Sequence, residues 1–214
     1  MKLWGMLLAV LPLMPADDLG PARAVPCAMA IALDVRATLA WGSIEWHLVS
    51  SEVDRMWAPY GVTFCWIERA QRCEGLQVRI RVLIADDIPP LGTADRQSPV
   101  GRIYFEGRRP VGEIWLSVTG ARQLVARARL GDRLVASWPE SIMLRLLPRV
   151  LGRALSHEIG HYVLRSREHS RTGLMAPSFR PDDVTWGATS RFALSRPVAA
   201  MVEDQCTVPR LAAR

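Results

Sequence analysis

The segment His157-Glu158-Ile159-Gly160-His161 brings two imidazoles and a carboxylate together at a spacing that suits a metal ion. On an α-helix, His157 and His161 lie one turn apart on the same face, so both can bind one ion. Glu158 lies about 100° around the helix, where its carboxylate can reach an activated water without binding the metal. At this composition the pattern H-E-x-x-H is expected by chance only about 0.003 times per chain. The spacing predicts a catalytic zinc site with Glu158 as general base.

A third protein ligand is needed, because a catalytic zinc keeps three such ligands and leaves its fourth position to water. His169 follows His161 by eight residues, just beyond the predicted helix end around Arg165, and is the preferred candidate. His47, in the first predicted helix, is interpreted as a surface or core residue. The alternatives to His169 are the carboxylates Glu168, Asp182 and Asp183.

The helix that carries these residues is predicted to begin near Pro148, since proline is well accepted in the first turn of a helix. The preceding segment 139–147 is predicted to be a separate helix or the far side of a kink. One face of the main helix is apolar and can pack on a sheet while the other presents the imidazoles. The apolar residues are Leu151, Leu155 and Ile159.

The chain before this helix has the periodicity of strands. Strands are predicted over 29–39, 62–67, 76–84, 101–105 and 113–118, with a helix over 43–57 between the first two. From residue 119 onward the pattern is helical. The order predicts a single α+β domain whose sheet precedes the helix of the site.

The N-terminal segment has the composition of an export signal. Lys2 precedes an apolar run over 3–14, and Ala22-Arg23-Ala24 supplies a small-x-small cleavage site. The run is shorter than the roughly 20 apolar residues of a membrane helix. We expect a signal peptide over 1–24, cleavage after Ala24 and a secreted or periplasmic domain over 25–214 without a stable membrane anchor. A retained anchor is the alternative, and the residues before Cys27 are a poor lipidation box.

The formal net charge of +6 does not predict nucleic-acid binding. Lys2 is the only lysine, and the 26 arginines are scattered along the chain instead of forming one basic segment. We therefore expect no nucleic-acid partner. The spacing of the metal motif instead favours a peptide or protein as the substrate.

Four cysteines in an exported chain predict two disulfides, which three pairings satisfy. The favoured pairs are Cys65 with Cys73, which closes a short loop between two strands, and Cys27 with Cys206, which ties the two ends together. A cysteine metal site is disfavoured because the chain contains no C-x-x-C spacing.

The segment 172–177, Thr-Gly-Leu-Met-Ala-Pro, is typical of a tight turn around a buried methionine, Met175. H-E-x-x-H, a nearby third histidine and this turn together resemble the metzincin metalloproteases. The resemblance implies that His157, His161 and His169 bind zinc, that Glu158 is the general base and that Met175 forms the floor beneath the metal. It also implies a mixed twisted sheet with a backing helix before the helix of the site and a C-terminal helix after the turn.

The usual metzincin pattern is H-E-x-x-H-x-x-G-x-x-H, and this chain departs from it. Leu164 stands in the place of the glycine, and His169 arrives two residues late. The sequence is closer to small exported bacterial proteases with H-E-[IL]-G-H, a longer spacer and then S-x-x-H-S-x-x-G-[IL]-M. We therefore expect the helix exit to be built differently, through residues 165–167.

These features predict a secreted zinc-dependent metalloendopeptidase. An extended peptide would bind by strand addition along 101–105 or 113–118. The alternative is a non-catalytic exported protein with a structural zinc site or an incidental H-E-x-x-H motif.

Overall fold

The computed structural model describes residues 29–37, 43–67, 76, 78–89 and 99–207, and for residues 43–45, 206 and 207 it describes the backbone alone. The signal peptide expected over 1–24 lies outside these ranges, so it stays a prediction. Among the described helices, none combines the length and apolarity that crossing a membrane requires.

A five-stranded mixed sheet forms the first half of the described fold. Its strands lie in the order β2-β1-β3-β5-β4; β1, β2, β3 and β5 are parallel, and β4 runs antiparallel to β5. The bounds are Met29–Ala37 (β1), Val62–Ile67 (β2), Arg79–Ala85 (β3), Gly101–Glu106 (β4) and Arg109–Ser117 (β5). The helices and strands follow the predicted order, so the α+β prediction is confirmed.

Strand β3 shows why the sequence forms this sheet. Ile80 and Val82 are fully buried, whereas Arg79 and Arg81 between and beside them are exposed. This period of two is the alternation of side chains across a pleated strand, with one face towards the core.

Helices cover the sheet and make up most of the second half. They are Ser43–Trp57 (α1), Val118–Ala126 (α2), Glu140–Leu164 (α3), Pro181–Trp186 (α4) and Arg196–Thr207 (α5). A small hairpin of Arg129–Leu130 (β6) and Arg133–Leu134 (β7) follows α2, so the prediction of helices alone from residue 119 onward was wrong here. Short 3₁₀ turns occupy Ala58–Tyr60, Val135–Ser137 and Thr189–Phe192. Helix α1 is the backing helix, and α5 is the predicted C-terminal helix.

Helix α3 begins earlier than predicted. It runs unbroken from Glu140, and Pro148 lies inside it instead of at its start. The predictions of a start near Pro148 and of a separate helix over 139–147 were therefore wrong. Proline removes one backbone hydrogen bond, the one to the carbonyl of Leu144. Leu144 is 38% exposed, where solvent can replace that bond.

The surroundings of α3 also differ from the prediction. Every residue over 150–161 is buried, so the helix has no open face over this stretch. It contacts α1, α2, α4, α5 and the strands β4 and β5. The predicted apolar face packs as expected, but the face with the imidazoles is also covered, by the segments that follow the helix.

The crossing of α1 and α3 is close because Gly152 has no side chain. A Cβ at Gly152 would lie 2.7 Å from Glu52 Cβ and 3.0 Å from the carbonyl oxygen of Val49. Next to it, Arg153 Nε donates a hydrogen bond of 2.8 Å to Glu52 Oε1, and both side chains are buried. A buried ion pair thus joins the backing helix to the helix of the site.

The two disulfides stay predictions. Cys65 lies on β2 and is not a free thiol. Cys27, Cys73 and the side chain of Cys206 lie outside the described part of the chain.

Candidate metal centre

Three histidines meet at the C-terminal end of α3. The Nε2 atoms of His157 and His161 lie 3.0 Å apart, as expected for residues one helical turn apart. His169, from the loop after the helix, lies with its ring centroid 5.3 Å from that of His157 and 4.8 Å from that of His161. One nitrogen from each ring lies within 4.8 Å of the others. The structure therefore brings together the three residues that the sequence proposes as ligands.

Backbone carbonyls fix the orientation of the two helical imidazoles. His157 Nδ1 lies 2.7 Å from the carbonyl oxygen of Leu174, and His161 Nδ1 lies 2.7 Å from that of Ser166. A carbonyl only accepts hydrogen bonds, so each neutral ring donates its Nδ1–H. The Nε2 atom of each ring then carries a lone pair. Such an outer hydrogen bond is the usual support of a metal-binding histidine.

This tautomer makes the site suitable for a cation. The Nε2 lone pairs of His157 and His161 face each other at 3.0 Å with no proton between them. Two acceptors at this distance repel each other, and a metal ion that both bind removes the repulsion. Three imidazoles are a known donor set for catalytic zinc, with a fourth position left for water. The donor set of this chain fits zinc.

The pKa values favour neutral rings. Burial lowers the pKa of His157 to about 4, and the charges of His161 and His169 add to this, although the hydrogen bond to Leu174 opposes it. Burial likewise lowers the pKa of His161, helped by the charge of His169 and opposed by the hydrogen bond to Ser166. Neutral imidazole is the form that binds a metal, so neither ring has to lose a proton at neutral pH.

Glu158 lies against the edge strand β4 instead of against solvent. It is 8% exposed, and its carboxyl accepts a hydrogen bond from the backbone N–H of Ile103. A Cβ at Gly101 would lie 3.1 Å from Glu158 Oε1, so the strand passes close to the carboxyl because a glycine stands there. Burial raises the pKa of Glu158 to about 8, although the Ile103 N–H and the charge of Arg102 act in the opposite direction.

Met175 packs against the helix of the site at Gly160, next to His161 in the chain. Met175 is 1% exposed, and a Cβ at Gly160 would collide with its sulfur. Trp57 of α1 lies on the same side, 3.7 Å from that Cβ position. The glycine in H-E-I-G-H is therefore needed so that the thioether can lie against the helix.

Replacement of Gly160 by alanine is expected to lower the free energy of unfolding by about 1–2 kcal/mol, because overpacking outweighs the higher helix propensity of alanine. Urea denaturation of the metal-free protein measures the change. The double variant Gly160→Ala, Met175→Ala removes the colliding sulfur and should lose less than the sum of the two single variants. A Gly160→Ala protein as stable as wild type would contradict the close contact.

The exit from α3 and the methionine turn both use unusual backbone conformations. Arg165 ends the helix in the left-handed region with φ of 51°, and its N–H bonds to the carbonyls of His161 and Tyr162. Gly173 has φ of 78°, and a Cβ there would collide with the carbonyl oxygen of Ala193. Leu164, in the place of the usual glycine, is still helical, and the left-handed residue comes one position later, so the exit is built differently, as expected.

The alternative third ligands lie elsewhere. Asp182 Oδ1 accepts a hydrogen bond of 2.6 Å from the backbone N–H of Arg129, and Asp183 Oδ1 pairs with Arg191 at 2.6 Å. Glu168 is exposed, and among the described residues the metal-binding group contains only the three histidines. His47 is exposed on α1, away from this group.

Two side chains near the site were not found from the sequence. Phe179 packs edge-on against His157, with ring centroids 5.6 Å apart, and also against Phe192 at 5.2 Å. The guanidinium of Arg153 lies 4.5 Å from the centre of the Phe192 ring. Phe179 lies in an irregular loop that gives no periodic signal. Arg153 stands one turn before His157 in an otherwise apolar stretch, and that position was an available clue.

The structure is similar to archaemetzincin from Methanopyrus kandleri. The TM-score is 0.46 and the sequence identity 15%, over 86% of this chain and 97% of that chain. No protein-family model and no curated protein sequence matches the chain. The function proposed below therefore rests on the residues of the site.

Proposed function

We propose that this protein is a secreted, zinc-dependent metalloendopeptidase of the metzincin type. One observation carries the proposal: the Nε2 atoms of His157 and His161 face each other at 3.0 Å. His169 completes a three-imidazole group beside them, and the buried carboxyl of Glu158 belongs to the same turn of helix. This arrangement supports a hydrolytic site, because three neutral donors leave one position open.

The histidines would hold the ion, and Glu158 would move the proton. When bound, zinc acts as a Lewis acid that makes a water molecule more acidic and polarises a peptide carbonyl. Glu158 would accept the proton of the attacking water and pass it to the leaving amine. The N–H of Ile103 fixes the orientation of its carboxyl. Burial gives Glu158 a pKa above that of an ordinary glutamate, which suits a group that both takes and returns a proton.

Strand β4 supports a peptide as the substrate. Among the described strands it pairs only with β5, so no described strand lies along its other edge. Gly101 and Ile103 of this strand contact Glu158. A peptide that added to this edge as a further strand would therefore lie with its backbone next to the general base. The second strand suggested by the sequence, 113–118, lies inside the sheet: residues 113–117 belong to β5, which pairs with β3 and β4, and Val118 begins α2.

Export is part of the proposal and rests on the N-terminal sequence. Lys2, the apolar run over 3–14 and the Ala22-Arg23-Ala24 site support a signal peptide cleaved after Ala24. The proposed partners are peptide or protein substrates, without nucleic acid and without a stable membrane anchor in the mature form. N-terminal sequencing of the protein recovered from the medium or periplasm tests this directly.

Metal content and peptide cleavage of the purified protein, measured together, test the function. We expect one zinc per chain and cleavage of internal bonds in a mixed peptide library, with both lost to chelation and restored by zinc. A protein that holds zinc in stable form but cleaves no peptide in the library would instead support the structural-zinc alternative. A protein that binds no zinc would show that the motif is incidental.

Replacement of His169 by alanine is expected to weaken zinc binding by about two orders of magnitude or more, because one of three protein ligands is lost. Competition with a chelator of known affinity measures the change. The matched control is His47→Ala, which removes the exposed histidine of α1. Unchanged zinc affinity in His169→Ala would contradict the ligand set and direct the search to Glu168.

A further inference from the structure

The loop that carries His169 is tied to the sheet by one arginine. Arg167 Nη2 lies 3.1 Å from the carbonyl oxygen of Gly107 and 3.4 Å from that of Phe105, and it donates to both. Its guanidinium also lies 4.8 Å from the centre of the Phe105 ring. These acceptors belong to the end of β4 and to the turn that joins it to β5. Arg167 therefore fixes the helix exit against the β4–β5 hairpin.

Burial cannot fix the position of His169. Its side chain is exposed, as are those of Arg167 and Glu168, so packing against the core does not hold this part of the loop. Residues 165–169 after the helix form no further helix or strand. A segment of this kind needs specific bonds to stay in one conformation.

The bonds of the exit loop flank His169 on both sides. Before it, the carbonyl of Ser166 accepts from His161 Nδ1, and Arg167 bonds to the hairpin. After it, the N–H of Ser170 donates a hydrogen bond of 2.8 Å to the carbonyl oxygen of Met175. Ser170 is thereby joined to the methionine turn, whereas Arg167 is the residue of this loop that bonds to the sheet within the described part of the chain.

The chemistry of arginine suits this task. A planar guanidinium can donate to two carbonyls from one edge while its face stacks on an aromatic ring. Phe105 and Gly107 provide both kinds of partner. Lysine would keep the positive charge but lose the planar group and its stacking. Such a contact fixes both the distance and the orientation of the loop relative to the hairpin.

We infer that Arg167 is a positioning residue for the third metal ligand: its bonds to Phe105 and Gly107 hold the extended exit loop so that His169 meets the two helical histidines. The inference rests on the proposed function, because it takes the three histidines as zinc ligands. It assigns a task to the residues that replace the usual glycine exit, and it makes the β4–β5 hairpin a support of the metal centre.

The test measures zinc affinity by chelator competition in wild type, Arg167→Ala and Arg167→Lys, with Arg171→Ala as matched control. Arg171 is an exposed arginine on the other side of His169. We expect Arg167→Ala to weaken zinc about 10- to 100-fold, the usual loss when an outer partner of a metal ligand is removed. Arg167→Lys should fall between Arg167→Ala and wild type, and Arg171→Ala should bind as wild type does. The visible spectrum of bound Co²⁺ should change in Arg167→Ala, because the third ligand is displaced.

A double-mutant cycle separates positioning from a general loss of stability. In a His169→Ala background the effect of Arg167→Ala on zinc affinity should vanish, because its target is absent. An equal loss in that background, or a wild-type affinity and Co²⁺ spectrum in Arg167→Ala, would overturn the inference while the zinc site stood. A wild type that binds no zinc would overturn the proposed function and the inference with it.

Discussion

Replacement of Glu158 by glutamine is expected to lower kcat/KM for peptide hydrolysis by about two to four orders of magnitude while bound zinc stays at the wild-type level. Glutamine has almost the shape of glutamate but cannot accept a proton at its amide. The carboxyl accepts the Ile103 N–H, and the amide oxygen can keep that bond. The side chain should therefore stay in place against Gly101, and only the proton transfer should be lost.

Steady-state cleavage of a fluorogenic peptide and zinc analysis of the same samples measure the two quantities. Glu168→Gln is the matched control, since it makes the same chemical change at an exposed position of the exit loop. We expect that control to keep both activity and metal. If Glu158→Gln lost zinc together with activity, Glu158 would belong to the metal ligands, and the role of general base would have to be given up.

Replacement of Arg153 by methionine is expected to lower the free energy of unfolding by about 3–5 kcal/mol, the usual cost of removing one partner from a buried ion pair. Burial alone raises the pKa of Glu52, but the hydrogen bond and charge of Arg153, with those of Arg55, outweigh it and bring the pKa below the ordinary value. Glu52 is thus a buried carboxylate that depends on these arginines. The guanidinium also donates to the carbonyls of Asp183, Val184 and Gly187, which would lose that donor.

Urea denaturation, followed by tryptophan fluorescence, measures this loss. Arg149→Met is the matched control: Arg149 lies one turn earlier on α3, is exposed and donates a single bond to the carbonyl of Thr185. We expect a loss below about 1.5 kcal/mol there, as for a single hydrogen bond. Equal losses in the two variants would mean that the buried pair adds nothing beyond one backbone contact.

Local periodicity and spacing were enough to predict much of this molecule. The alternation around Ile80 and Val82 identified a half-buried strand, because the period of two is a direct consequence of the pleat. The spacing of His157 and His161 implied a shared face one turn long, and their Nε2 atoms do lie 3.0 Å apart. Both features depend only on residues close together in the chain.

Features that depend on distant residues were beyond such reasoning. Arg153 and Glu52 are 101 positions apart, and nothing local to either predicts their pairing. The N–H of Ile103 reaches Glu158 because β4 lies at the edge of the sheet, and strand order is a tertiary property. The start of α3 was misjudged for a related reason: whether a helix continues through Pro148 depends on the environment of the carbonyl that loses its bond.

The carbonyls of Ser166 and Leu174 have a consequence for how the centre is assembled. Both belong to segments that follow α3, so the tautomer of each helical histidine is set by chain synthesised after the helix itself. Helix α3 alone would present imidazoles of undefined tautomer. Ion affinity and the stability of the folded conformation of residues 166–174 are thereby thermodynamically linked. A change that stabilises this conformation also raises the ion affinity, and ion binding stabilises the conformation in return. The two imidazoles therefore have a defined tautomer for an ion only once the segment 166–174 has closed over the helix.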